Sequence, residues 1–468
     1  MPTKVSIGSI FLYTLLFFFS PKASAQSNFA GKWSGVLEIQ SMELGLVFDI
    51  NKAGLEYTAT MDSPDQGANG IPVKHVKVDG DSITISIPSI LMVYRGKKVD
   101  ENTIEGTFSQ RGSQFNLNLK RGDLGERKRP QDPIKPYPYQ EDSVSFINPS
   151  TGNHLSGTLT LPRVKGKFTA IVLVTGSGPQ DRDETLMGHK PFLVLSDYLT
   201  RNGYAVLRYD DRGVGLSEGK FSSATTSDFA SDALAAVHYL EGRKEINKKK
   251  IGVMGHSEGG VIAAELAANN KNIAFIVMLA GTGMRGDKIL LQQQIAIAKG
   301  AGVADSTIKK SQAINKNVFD IICSTKDTAL IRKRTELYLN TVYDDGTLEG
   351  TENMSKAAAV DAFMKELLTP WLIHFIQYEP ANDLKKIRVP TLALIGSKDH
   401  QVIPEFNIPA LKENLASNKK AEVLELPDLN HLFQEAKTGL PDEYGQIEQT
   451  FSPLALLAID AWLKKNVK

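Results

Sequence analysis

Apolar and polar positions alternate in short runs between Phe29 and Leu119, and no helical period appears among them. Residues 32–40, 45–51, 55–61, 82–88, 103–109 and 115–119 read as half-buried strands, because successive side chains of a strand face opposite sides of its sheet. Turn-forming clusters at Asn51-Lys52-Ala53-Gly54 and Asp79-Gly80-Asp81 separate several of these runs. Residues 26–120 are therefore expected to form a small all-β barrel or sandwich. The stretch 121–140 has another character. Pro130, Pro133, Pro136 and Pro138 stand among charged residues with few aliphatics, which predicts a stiff, exposed linker.

From residue 141 to the C-terminus the pattern changes again. Apolar runs at 170–174, 205–209, 251–254, 275–279, 391–395 and 421–426 alternate with helical stretches, the signature of a mostly parallel sheet with helices on both faces. Between Leu279 and Thr391 the alternation stops for roughly a hundred residues, far beyond an ordinary connection. The sequence there is polar and helical, over 288–338 and again over 354–377. An insertion of that size between two strands is expected to be a helical lid, spanning about 283–380.

Composition narrows the functional classes. The 468 residues are 41% hydrophobic and 23% charged, enough apolar material for a sizeable core. A net charge of +1 leaves no basic surplus for phosphates, which argues against a nucleic-acid partner. Lys4, the apolar run 7–19 and Ala23-Ser24-Ala25 together have the form of a secretory signal, with cleavage expected after Ala25 and hence export to the periplasm or the medium. No later stretch is long and apolar enough for a membrane helix. The single cysteine, Cys323, has no partner for an intramolecular disulfide, so an exported chain would rely on the size of its core.

Gly255-His256-Ser257-Glu258-Gly259 follows a strand-like run and precedes the helix-forming 261–267, the context in which a G-x-S-x-G segment raises a nucleophilic serine on a sharp turn. A serine hydroxyl needs a base, and on such a turn the partners follow in the order Ser, Asp or Glu, His. His75, His154, His189 and His238 precede Ser257. His256 adjoins it and should point elsewhere, His374 lies in the insertion, and His400 directly follows the best acid. His431, in the loop after 421–426, is left as the base. Asp399, just past the strand 391–395, is the expected acid, with Asp428 as the alternative. The oxyanion of acyl transfer needs amide donors. These are assigned to the N–H of Glu258 and to that of Ser177, or of Gly178 beside it, in the glycine-rich loop after 170–174. That loop lacks the lysine and the glycine spacing of a phosphate cradle. The segment Tyr209-Asp210-Asp211-Arg212 reads as charged groups fixing a turn at the sheet's carboxyl edge.

With these residues in place, the region from Ser143 to Val467 resembles an α/β-hydrolase. It is similar to the esterase and serine aminopeptidase-like branch that carries G-S-G-P-x-D-R-D in the oxyanion loop (Gly176 to Asp183 here) and D-x-R-G-x-G-x-S after the next strand (Asp210 to Ser217). One departure is Thr175, where many relatives have histidine. Further upstream, Gly31-Lys32-Trp33 resembles the Gly-x-Trp opening of lipocalin-like barrels, although Trp33 reads equally well as a core residue of the first strand. The resemblance implies a serine hydrolase acting on a small-molecule carboxylic ester through an acyl-enzyme, with no metal or organic cofactor. The alternatives that share the residues are a peptidase releasing N-terminal residues and an acyltransferase; a further one is a non-catalytic binder of lipid or glycan.

Overall fold

A computed structural model describes residues 28–39, 42–54, 56–64, 68–110, 113–124, 129–346, 348 and 355–467. The expected signal segment, with its cleavage point after Ala25, lies outside the described residues. The chain divides into two compact units, the first drawn from residues before 124 and the second comprising residues 124 onward together with the stretches 37–46 and 62–69.

The N-terminal sheet has ten strands: β1 (Gly31–Ile39), β2 (Met42–Ala53), β3 (Glu56–Ser63), β4 (Ala68–Pro72), β5 (His75–Asp79), β6 (Ser82–Ile87), β7 (Met92–Asp100), β8 (Thr103–Gln110), β9 (Ser113–Asn116) and β10 (Leu119–Arg121). They run in the order β4-β3-β2-β1-β10-β8-β7-β6-β5, with β9 against β8. Val73 N–H donates to Ala59 O and Lys74 N–H to Ser86 O, so the bent stretch 68–79 bonds to strands at both ends of the sheet. Alternation sorts the side chains: in β6, Ile83, Ile85 and Ile87 are buried and the residues between them are not. Trp33 is fully buried, donates from Nε1 to Phe29 O at 2.7 Å, and lies under the Arg121 guanidinium at 4.2 Å. β4, β5 and β7 had no counterpart among the expected strands. Gly96 and the adjoining Lys97-Lys98 break the apolar pattern of β7, yet Gly96 sits directly opposite Gly106, where both leave room for the Tyr94 ring.

The second unit carries an eight-stranded sheet: β11 (Gln140–Ile147), β12 (His154–Leu161), β13 (Phe168–Val174), β14 (Ala205–Tyr209), β15 (Ile246–His256), β16 (Phe275–Leu279), β17 (Thr391–Gly396) and β18 (Ala421–Leu426). Their order is β11-β12-β14-β13-β15-β16-β17-β18. The first two join antiparallel, and the remaining pairs from β14 to β18 are parallel. The helices are α1 (Pro191–Arg201), α2 (Thr226–Gly242), α3 (Glu258–Asn269), α4 (Gly286–Gly300), α5 (Asp305–Cys323), α6 (Thr328–Asp344), α7 (Lys356–Leu367), α8 (Pro370–Gln377), α9 (Ala381–Leu384), α10 (Pro404–Asn414) and α11 (Pro453–Asn466). None of the described helices is long and apolar enough to cross a membrane.

Period-two alternation divides the central strands between two cores. Ala170, Val172 and Val174 of β13, with Ile276 and Met278 of β16, join the core under α2, α3 and α10. Ile171 and Leu173, with Phe275, Val277 and Leu279, join the core under α1 and α11. Covering both faces in this way is what a parallel sheet requires. Helices α4 to α8 occupy the interval between β16 and β17. They hold a small core of their own, in which Phe319 and Ile322 of α5 meet Ile331 and Leu339 of α6 and Val360 and Met364 of α7.

The segment after residue 124 is tied down. Arg129 donates to the carbonyls of Met187, Gly445 and Ile447 at 2.9–3.0 Å, and Gln131 bonds Thr450 and Phe451.

Candidate active site

β15 ends at His256, α3 begins at Glu258, and Ser257 between them has φ 53° and ψ −115°. A positive φ on a residue with a Cβ costs on the order of 1–3 kcal/mol and persists only where surrounding contacts impose it. Here they do. Ser257 N–H donates to Leu279 O at 2.7 Å. A Cβ on Gly255 would land on the Gly259 carbonyl, and one on Gly259 would press on the carbonyls of Val174 and Thr175. Both glycines are therefore sites of backbone contact between β13, β15 and α3. The helix starts at Glu258, so the Glu258 amide is among the N-terminal donors without an intrahelical acceptor.

His431 follows β18 and Asp399 follows β17. His431 Nδ1–H donates to Asp399 Oδ2 at 2.8 Å, and both side chains are buried. The other carboxylate oxygen, Oδ1, accepts the N–H groups of Gln401 and Val402, each at 2.8 Å. Asn430 braces the loop on the near side of His431: its Oδ1 accepts from Leu432 N and Gln434 N, and its Nδ2 donates to Gln434 Oε1. Asp428, the alternative acid, is an exposed partner of Lys398. Ser257 and His431 line one cavity of about 220 Å³, together with Gly176, Ser177, Glu258 and Trp371. Nδ1 being committed to Asp399, Nε2 is the ring nitrogen left for proton exchange.

The loop after β13 hangs from two buried carboxyl groups by two consecutive residues. Thr175 Oγ1–H donates to Asp211 Oδ1 at 2.8 Å and Gly176 N–H to Glu184 Oε1 at 2.8 Å. Asp211 also accepts from Gln180 N–H at 3.0 Å. This suspension brings Gly176 so close to Ser257 that a Cβ there would stand 3.2 Å from the serine Cβ. Burial, reinforced by the neighbouring Glu184 and Glu258, pushes the Asp211 carboxyl up to about 8. Burial likewise raises the Glu258 carboxyl, against the pull of its hydrogen bonds. Arg182 forks onto Asp210 at 2.6–2.9 Å, and Arg212 bonds Asp232 at 2.6 Å. The charged segment after β14 thus anchors the loop from below as well as fixing its own turn.

Sequence reasoning missed three groups here. The His256 ring bridges two elements of the site. Nε2 faces His431 O at 3.0 Å and Nδ1 faces Glu184 Oε1 at 2.9 Å. Two acceptors favour a doubly protonated ring. Burial opposes that charge and the facing carboxylate outweighs the opposition, so the His256 pKa is raised. Glu184 itself carries φ 53° and ties His256 to the loop at Gly176. Trp371, on α8 of the insertion, donates from Nε1 to both Glu258 oxygens at 2.9 and 3.0 Å, while Thr226 Oγ1 donates to Oε1 at 2.6 Å. Among the described residues no group of three or more His, Cys, Asp or Glu side chains is placed to hold a metal ion.

Comparison with known proteins agrees with this geometry at the level of family. The family described as serine aminopeptidase, S33, matches residues 191–433, a span that contains Ser257, Asp399 and His431. Esterase EstD of Thermotoga maritima is 26% identical over 339 residues, covering 72% of this chain and 71% of its own length. An acyl transferase of Shewanella hanedai is 34% identical over 91 residues, 19% of this chain and 28% of its own length. Among solved structures, the Pyrococcus furiosus esterase Pf2001 aligns with 74% of this chain and all of its own at 16% identity and a TM-score of 0.44. With more than half of its residues matched, including the elbow serine and the paired histidine and aspartate, the chain belongs to the serine aminopeptidase S33 family, within the α/β-hydrolase superfamily.

Proposed function

We propose that this protein is a serine hydrolase that cleaves carboxylic esters. Ser257 attacks the ester carbonyl, and His431 Nε2 takes the hydroxyl proton and returns it to the leaving alcohol. Asp399 holds the imidazole tautomer and stabilises its cation. The amides of Glu258 and Ser177 receive the oxyanion, a donor pair of which each member is typically worth ~10²–10³ in rate. Water, deprotonated by the same imidazole, then attacks the acyl-enzyme and releases the acid and Ser257. The observation that carries this reading is the His431–Asp399 hydrogen bond at the cavity that Ser257 also lines.

The esterase assignment of the Thermotoga relative favours an ester over a peptide. The Glu258 carboxylate does so as well, because Thr226 and Trp371 already occupy its oxygens, whereas an aminopeptidase needs a free acid to hold the substrate ammonium. Helices α4 to α8 act as the lid, since Leu290, Trp371 and Phe375 contribute to the cavity. We place the mature protein outside the cytoplasm on the strength of the segment 1–25; a mature N-terminus at residue 26 in the periplasmic or secreted fraction is the expected result. The enzymatic reading is tested by a fluorophosphonate probe and 4-nitrophenyl acetate. Native protein should label and hydrolyse, and Ser257→Ala should do neither. Labelling that survives in Ser257→Ala, or native protein that neither labels nor hydrolyses, overturns it.

A further inference from the structure

A groove of about 550 Å³ runs between α4 and α5. Leu290 and Gln293, two residues of α4, line both this groove and the Ser257 cavity. Its apolar wall is formed by Leu290, Ile297, Ala298, Ala301, Val303 and Ile308. The rest of its lining is uncharged amide and hydroxyl side chains. The nearby Lys288, Lys299, Lys309 and Lys310 take no part in it. That separation matters, because a groove free of charge accepts an aliphatic chain without desolvating an ion.

The groove is also braced. Gln294 Oε1 on α4 accepts from Gln312 Nε2 at 3.2 Å and Asn315 Nδ2 at 2.9 Å on α5, which fixes the separation of the two helices. On the shared lining, Gln293 Nε2 donates to Gln401 Oε1 at 3.3 Å, a long bond and an easy one to exchange. Along α4 the lining runs from Leu290 to Ala301, roughly 16 Å of helix. An extended carbon chain advances about 1.2 Å per bond, as the extended backbone does, so this length suits about a dozen carbons.

We propose that this groove binds the aliphatic acyl chain of the ester, so that the substrates are medium- to long-chain fatty acyl esters. The inference rests on the esterase reading of Ser257. With the carbonyl at Ser257, the chain passes between Leu290 and Gln293 and lies along α4, where Ile297, Ala298 and Ile308 cover it. Each methylene drawn from water should then raise kcat/KM about two- to fourfold until the groove is full, the lower figure reflecting a chain left partly exposed.

The test is a series of 4-nitrophenyl esters from acetyl to dodecanoyl, each assayed below its micellar concentration. Native protein should show kcat/KM rising from acetyl to decanoyl. Ala298→Trp and Ser311→Phe fill the groove from opposite helices, and each should lower the decanoyl-to-acetyl ratio of kcat/KM at least tenfold. Folding of each variant is checked by its melting temperature, and the native series stands as a test by itself if either fails to fold. A native profile that is flat or falls beyond butyryl overturns the acyl groove, as does a ratio within twofold of native in a folded variant. Failure of the underlying esterase reading looks different: acetyl ester hydrolysis and fluorophosphonate labelling are then absent together.

Discussion

Asp399→Asn probes the mechanism with little change in shape. In the native site Oδ1 accepts two backbone N–H groups and Oδ2 accepts the imidazole, all at 2.8 Å. An asparagine at this position must keep its carbonyl oxygen toward Gln401 and Val402. Turning the amide over would leave both buried N–H groups facing an NH₂, at about 1–3 kcal/mol each. The amide nitrogen therefore faces His431 Nδ1, which must give up its hydrogen and accept instead. The neutral ring then carries its proton on Nε2 and has no lone pair for the Ser257 hydroxyl. A forced wrong tautomer of this kind lowers kcat by ~10⁴ in serine proteases, equivalent to about 5.5 kcal/mol of barrier. A fall of ~10³–10⁴ is expected here, measured with 4-nitrophenyl acetate on a variant whose melting temperature stays within a few degrees of native. The fluorophosphonate labelling rate should drop in parallel. A folded Asp399→Asn protein with kcat within tenfold of native refutes the assignment of the acid.

Three other outcomes are expected. Trp371→Phe removes the indole donor from the buried Glu258 carboxylate and should cost about 1–3 kcal/mol of stability in urea titration; an unchanged midpoint denies that this bond holds α8 to the elbow. Asp211 has a folded pKa of about 8, above the ~3.9 of an unfolded chain. The folded state thus keeps a proton that the unfolded chain releases, and the associated stability, complete below about pH 4, is lost as pH rises toward 8, at up to about 1.4 kcal/mol per pH unit. Asp211→Asn should flatten the decline in stability between pH 5 and pH 8, and parallel native and variant curves would contradict the buried neutral carboxyl. Gly259→Ala forces a methyl group against the carbonyls of Val174 and Thr175, an overpacking of about 1–3 kcal/mol or more, and should abolish probe labelling even where the protein still folds; native labelling would show that the elbow has slack.

Sequence reading found the parts of this site that are local or ordered along the chain. The elbow was visible because Gly255 and Gly259 answer to contacts within one strand–turn–helix unit. His431 and Asp399 followed from their position after successive strands. The Glu184–His256 pair was not visible, because its members lie 72 residues apart and neither carries a local pattern. The Glu258–Trp371 bond spans 113 residues and depends on where the insertion settles, which no period encodes. Similar reasoning explains the strands that escaped notice. Gly157 reads as a break in β12, yet a Cβ there would stand 2.6 Å from Arg208 O on the neighbouring strand. Close packing between strands asks for the residue that weakens the strand's own signal.

The insertion leaves the sheet after β16 and returns at β17, and these two strands are direct neighbours, with Ile276 beside Thr391. A long excursion that departs and returns at one seam is topologically a cassette. Such a cassette is open to lengthening, shortening or exchange without re-threading a strand, while the hydroxyl, imidazole and carboxylate stay on the frame beneath it. The lining that the insertion lends to the cavity is free to diversify while Ser257 and the His431–Asp399 pair stay fixed.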